Sequence, residues 1–414
     1  MSSTVFHSTD LLIPEASLLP KWAVIACDQF TSEPEYWEAV KAEVGDAPSA
    51  LNLIFPEAWL KQDRDARIAF INESMRDALH RAIFRAYPGA YVYVERTLAD
   101  GSIRRGVVGA VDLDAYDYTP DAHSAIRATE RTVVARIPPR VAIRKDAPLE
   151  LTHVLMLCDD EQETLIETLT AEKDTLPVLY DFDLMQSGGH IIGRLVTGEA
   201  GKRLEMRIAD YEQRMKEKYA AMGVSPILYA VGDGNHSLAT AKECWEAVKR
   251  DHPEQAEGHP ARCATVELEN IRDAAQRFEP IHRIVTGVDP QKLMDELTSV
   301  CASGGYPIRV ISADSESLFF LNPNLGELPV AILQRFLDET VDADRIDYIH
   351  GDDTATRLGK QPGTVAFLLP GIPKDGLFPG IAMDGVLPRK TFSMGHAQEK
   401  RYYLECRRIR PDEA

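Results

Sequence analysis

Between Pro226 and Val248 an apolar stretch, Pro226-Ile-Leu-Tyr-Ala-Val231, leads into Gly232-Asp233-Gly234-Asn235-His236-Ser237. The segment after it places Leu238, Ala241, Trp245 and Val248 on one helical face. The pattern reads as strand, glycine turn, helix. Such a turn aims unpaired backbone N–H groups and the positive end of a helix dipole at whatever lies in front of it, which suits an anion. Gly232 and Gly234 permit backbone conformations and a close ligand approach that a Cβ would obstruct. His236 can donate to a phosphate or move a proton near neutral pH. Asp233 can bind Mg²⁺ through an oxygen or act as a base. The same residue types also make an ordinary turn, with Ser237 capping the helix. The histidine beside two glycines at a helix start tips the reading toward function.

Charge sharpens that reading. The chain has 46 Lys and Arg against 65 Asp and Glu, a net charge of −19. An acidic surface argues against wrapping a nucleic-acid backbone, which depends on cationic contacts. The positive charge is gathered into two segments. Arg127, Arg131, Arg136, Arg140, Arg144 and Lys145 surround the lone acid Glu130. Arg389, Lys390, Lys400, Arg401, Arg407, Arg408 and Arg410 accompany only Glu399 and Glu405. Two such clusters in an acidic protein suit a focused anion site, although either one alone reads first as a solvated face or as ion-pair partners for the acidic excess. Leu387 to His396 adds two hydroxyls to two cations, a composition that suits phosphate oxygens.

Apolar runs too short for a membrane span, and an N-terminus without a signal-peptide pattern, predict a cytoplasmic protein. The six cysteines are scattered without metal or redox spacing, so free thiols are expected. Phosphate-loop, Gly-x-Gly-x-x-Gly, Gly-x-Ser-x-Gly and His-Glu-x-x-His motifs are all missing.

Along the chain, Lys21 to Asp28 reads as a strand, and Ser32 to Glu35 as a capped helix start. Pro56 to Tyr87 reads as a long helix or helix pair. Ala90 to Glu95 and Ile103 to Leu113 form a hairpin about Asp100-Gly101, and Leu151 to Cys158 and Ala261 to Glu269 are strands. Pro138-Pro139 interrupts any helix through the first basic segment. Lys202 to Met222 is an amphipathic helix closed by Gly223. Ser187 to His190 is a hairpin turn before a strand, and Phe278 to Arg283 a chain bend. Candidate divisions are an N-terminal α/β segment over 1–120, a phosphate-binding core over 121–300 and a C-terminal α/β segment over 301–414.

Lys21 to Trp37 (KWAVIACDQFTSEPEYW), Ile126 to Glu130, Val231 to Lys242 (VGDGNHSLATAK), the FEPIHR string at Phe278 and the LPRKTFSMG string at Leu387 resemble the uncharacterised domain-of-unknown-function family ten-fifteen, essentially end to end. The Asp-Gly-x-His turn is similar to the phosphate box of the ParB and sulfiredoxin-like superfamily, which includes kinases acting on free serine. That resemblance implies a mixed α/β, α+β fold with a ParB/sulfiredoxin-like core elaborated at both ends. The box usually ends in arginine. Here Ser237 stands instead, and Lys242 or a cation of either basic segment would have to supply the charge.

The expected function is a phosphotransferase using ATP or ADP with Mg²⁺ on a small hydroxylated metabolite, free serine being one candidate. Asp233 would bind the metal or assist proton transfer. His236, with Gly232, Gly234, Asn235 and Ser237, would hold phosphate, and Glu130 would be the base. Arg127, Arg136, Arg140, Arg389 and Lys390 would clamp anions. The rival readings are a nucleotide-binding regulator without turnover and, weakest, a ParB-like nuclease or DNA-binding protein.

Overall fold

The computed structural model describes residues 4–31, 33–59, 63–326, 328–388 and 390–411. Helices and mixed sheets alternate through them, an α+β architecture. Thirteen of the described strands form one large sheet. Its main path runs Tyr116–Asp117, Ile126–Ala128, Tyr229–Asp233, Val154–Cys158, Cys263–Asn270, Ile103–Asp112, Phe84–Thr97, Thr9–Pro14, Cys406–Arg408 and Leu149–Leu151. A second sheet of six strands runs Glu316–Leu321, Cys301–Ile311, Thr364–Leu368, Phe278–Thr286 and Ile346–His350, with Phe392–Met394 pairing to Phe278–Thr286. The sheets exchange near residues 271–277, and the chain returns to the first sheet at Cys406. The expected divisions at 120 and 300 therefore do not coincide with a change of sheet.

The strand Tyr229–Asp233 owes its place to burial: Tyr229, Ala230 and Val231 are all fully enclosed. It runs parallel to Ile126–Ala128 and antiparallel to Val154–Cys158, so the turn that follows opens at a sheet end. The amphipathic helix spans Gly198–Ala221, and it lays Leu204, Ile208, Tyr211, Met215 and Tyr219 against that sheet. Gly223 at φ +72 closes it, its N–H donating to Ala220 and that of Val224 to Tyr219. The hairpin about Asp100-Gly101 forms between Phe84–Thr97 and Ile103–Asp112, and the one about Ser187–Gly189 between Val178–Asp183 and His190–Val196.

Four expectations need correction. Lys21 to Asp28 is mostly not strand: Leu19–Trp22 is a helical turn and only Val24–Ile25 pairs, with Tyr402–Tyr403. Helix in the Pro56–Tyr87 stretch covers Arg64–His80, and the strand beginning at Phe84 takes its last residues. The Pro138-Pro139 pair stands in the first turn of a helix, Ile137–Arg144, where missing N–H groups cost nothing. Phe278 to Arg283 is not a bend but the first part of a strand whose partner changes at Pro280, from Phe392–Met394 to Ile346–His350. The helix expected after Ser32 begins at Pro34, while Ser32 itself lies outside the described residues. Among the described residues no helix is long and apolar enough to cross a membrane. All six cysteines are free.

Candidate active site

The strand Tyr229–Asp233 delivers the turn into a cleft of about 800 Å³. Gly234 takes φ +85 and is the N-cap residue of the helix Asn235–Asp251; Ser237, the cap of the ordinary-turn reading, stands instead in the first turn. A Cβ on Gly234 would come within 3.1 Å of Val154, and one on Gly232 within 2.4 Å of Met394 Sδ. The positive φ and the nearby Val154 backbone therefore require glycine at 234, whereas a side chain at 232 would have to displace Met394. The N–H groups of Ser237 and Leu238 donate to the Gly234 carbonyl, while those at the helix start face the open end. Asn235 Oδ1 is buried there without a hydrogen-bond partner among the described residues.

Cleft-lining residues come from well-separated parts of the chain. Beside Gly232 to Ser237 stand Asp28 and Gln29 from the N-terminal region, Glu130 and Arg131, Arg136 and Arg140, Glu279 and His350 from the second sheet, and Lys390 and Lys400. Asp233 Oδ2 lies 3.6 Å from Lys400 Nζ. Arg96 holds the segment behind that lysine, donating to the carbonyls of Gln398, Glu399 and Lys400.

His236 accepts at Nε2 from the Val133 N–H, 3.2 Å away. A backbone N–H can only donate, so the neutral ring carries its proton on Nδ1. Burial, and then the cations Arg140 and Arg136, press its pKa down to about 4. Glu130 accepts at Oε2 from Lys390 N–H (3.0 Å) and at Oε1 from Thr391 N–H (2.9 Å) and Phe392 N–H (3.4 Å). Burial raises its pKa, and those N–H groups offset part of the rise. Lys390 is one of few non-glycine residues with positive φ, +57. Its carbonyl accepts from the fully buried Arg283, the last residue of the FEPIHR string.

The predicted cations divide. Arg136, Arg140 and Lys390 line the cleft, and Arg140 also pairs with Glu57. Arg127 does not: it is 2% exposed and donates to the carbonyls of Ser124, Ser225 and Pro226. Its distance from the cleft follows from the strand Ile126–Ala128, whose alternation turns it away from the turn. Arg389 lies outside the described residues. Lys242 donates to Leu113 O and pairs with Glu246, so it does not supply the charge the turn lacks. Arg144 and Arg407 are bound to Glu150, and Arg401 to Glu267 and Glu405. The clustered charge thus divides into a set that lines the cleft and a set held in buried ion pairs.

Two contributors escape a sequence reading. Lys400 belongs to a counted basic segment, yet nothing local marks it as the partner of Asp233. His153 stands in Thr152-His153-Val154 with no motif around it, and its Nε2 lies 2.8 Å from Ser237 Oγ. Only pairing between distant strands brings it there.

Residues 11–410 match the model of the family described as "Protein of unknown function (DUF1015)". The chain belongs to that family. No curated protein matches it. Among solved structures it is similar to a free serine kinase variant in complex with ADP, at 9% identity and a TM-score of 0.38, covering 72% of this chain and 91% of that one. It is also similar to a C-terminally truncated SbnI from Staphylococcus aureus, at 11% identity and a TM-score of 0.35, covering 70% and 82%. A conserved hypothetical protein from Pyrococcus furiosus aligns at 10% identity and a TM-score of 0.33, covering 73% and 95%.

Proposed function

We propose that this cleft holds a nucleotide by its phosphates and transfers a phosphoryl group to a small hydroxylated metabolite, free serine being the first acceptor to test. One observation carries the reading. A glycine-lined helix start opens into the same 800 Å³ cleft as Arg131, Arg136, Arg140, Lys390 and Lys400, in a protein of net charge −19. Phosphoryl transfer asks a protein mainly for position and for neutralised charge, and both are what this arrangement offers.

Gly232, Gly234, Asn235 and the N–H groups of the helix start would receive phosphate oxygens, with His236 donating from Nδ1. Arg136, Arg140 and Lys390 would neutralise the charge around them. Glu130 would take the acceptor's proton: three N–H groups occupy three of the roughly four lone-pair sites of a carboxylate, leaving one open. Among the described residues no group of three or more His, Cys, Asp or Glu converges to hold a metal. Asp233 as a lone carboxylate fits Mg²⁺, which takes most of its ligands from water and phosphate. When bound, the ion would neutralise charge on the phosphates, and Asp233 would exchange part of its contact with Lys400 for it.

The test is thermal denaturation of the purified protein with ATP, ADP and AMP, each with and without Mg²⁺, followed by product analysis with serine and other hydroxylated acceptors. Stabilisation by ATP or ADP with formation of a phosphorylated acceptor supports the reading. Stabilisation without turnover replaces it with a nucleotide switch. No shift with any nucleotide overturns both.

A further inference from the structure

Ser237 was expected to contact phosphate as one more donor, and its hydrogen bonds argue otherwise. Its Oγ lies 2.8 Å from His153 Nε2, and His153 Nδ1 lies 3.4 Å from the Leu151 carbonyl. A carbonyl only accepts, so Nδ1 carries the proton and Nε2 is bare. The bare nitrogen must then accept the Ser237 hydroxyl proton, which leaves that hydroxyl nothing to donate to a phosphate. Its oxygen lone pairs face outward instead. Ser237 lines the cleft, whereas His153 does not, so the base stands behind the hydroxyl. The ring of Tyr403, 5.1 Å from that of His153, packs against it and helps set its orientation.

These are the parts of an activated nucleophile: a hydroxyl open to a cleft, a base within hydrogen-bond reach, and a third group orienting the base. Ser237 also sits in the first turn of the helix Asn235–Asp251, where the dipole favours a developing alkoxide. We propose that Ser237 is a nucleophile with His153 as its general base, and that it accepts the transferred phosphoryl group covalently. The proposal rests on the nucleotide reading of the cleft and adds an intermediate to it. Ser237 Oγ forms a bond to the γ-phosphorus of ATP while the bond from that phosphorus to the bridging oxygen breaks. ADP leaves, and the Oγ proton passes to His153 Nε2. In the second step the acceptor hydroxyl attacks the same phosphorus and gives its proton to Glu130, the bond to Ser237 Oγ breaks, and His153 returns its proton to the Ser237 oxygen.

The experiment is incubation of the protein with ATP and Mg²⁺ without acceptor, an acid quench, intact mass measurement and peptide mapping. The expected result is a gain of one phosphoryl group on Ser237, acid-stable as a phosphoester and unlike phosphohistidine. Ser237→Ala should abolish it, and His153→Gln should slow its formation about 100-fold, the usual share of a general base. Mapping the wild-type protein keeps the test decisive if either variant fails to fold. A protein that ATP stabilises but that carries no phosphoserine overturns the intermediate and leaves the nucleotide reading standing. If no nucleotide binds, a fluorophosphonate probe tests the nucleophile alone: labelling at Ser237 upholds the pair, and its absence refutes it.

Discussion

The Val133 N–H and the His236 imidazole share a hydrogen bond of 3.2 Å in which the ring is the acceptor. The loop after Glu130 therefore sets the protonation state of the turn's only histidine. Protonating Nε2 would break the bond and place a buried cation beside Arg140 and Arg136; burial first, and then those two charges, already hold its pKa near 4.

That relationship fixes a pH dependence. The unfolded histidine titrates near 6.5 and the folded one near 4, so below 6.5 the unfolded chain binds the proton first. The stability tied to this group is fully present above about pH 6.5 and is lost as pH falls toward 4. His153, His282, His350 and His259 are depressed by burial and act in the same direction, whereas His190, raised first by Asp183, acts in the opposite one. Melting temperature should fall with acidification across that window. His236→Gln should flatten the slope by up to one proton per molecule, as measured by denaturant unfolding at stepped pH.

Asp233 and Lys400 should separate binding from turnover. Lys400→Met is expected to weaken nucleotide binding about tenfold, because a single charge contact to an anion is removed. Asp233→Asn should leave binding within a few-fold and reduce phosphoryl transfer by at least about 100-fold if the carboxylate serves the metal or the proton. Calorimetric titration beside a product assay distinguishes the two. Equal loss of folding in both variants would show a structural ion pair.

Lys390 tests backbone and side chain independently. Its N–H is held by Glu130 and its carbonyl by Arg283 at a φ of +57, a conformation glycine adopts freely. Lys390→Gly should therefore be more stable than Lys390→Ala by about 1 kcal/mol, while both lose the same affinity for ATP. Chemical denaturation of the pair checks the first, and titration the second.

Arg127→Met provides the contrast. Removing a buried guanidinium strands three carbonyl acceptors, at Ser124, Ser225 and Pro226. A loss of about 2–3 kcal/mol is expected, with nucleotide affinity unchanged for the protein that remains folded. A drop in affinity at full stability would return Arg127 to the ligand site.

The strand, turn and helix around Gly232 were legible because each uses local signals: apolar run, glycine pair, 3.6-residue spacing. The hairpins at Asp100-Gly101 and Ser187–Gly189 were legible for the same reason. Phe278 to Arg283 misled because Pro280 suggests a break, whereas the strand changes partner there and so tolerates a residue without an N–H. Arg127 misled because charge counting assigns no direction to a side chain. His153 and Lys400 were hidden because neither is near the turn in sequence. Their roles arise from the antiparallel register of Val154–Cys158 on the turn's own strand and from the Arg96 contacts behind residues 398–400.

The small ladder between Val24–Ile25 and Tyr402–Tyr403, with Cys406 paired to Leu12, has a consequence for the order of events during synthesis. Asp28, Glu130 and the glycine turn leave the ribosome well before Lys390 and Lys400, which complete the cleft. An early-emerging chain can collapse around its central strands, but its N-terminal strand has no C-terminal neighbour until residues near 406 arrive. Closure of a loop spanning almost the whole chain is then the late event. Until it occurs, a nascent protein holds a glycine turn without Lys390 and Lys400, two of the five Lys and Arg side chains that line its cleft.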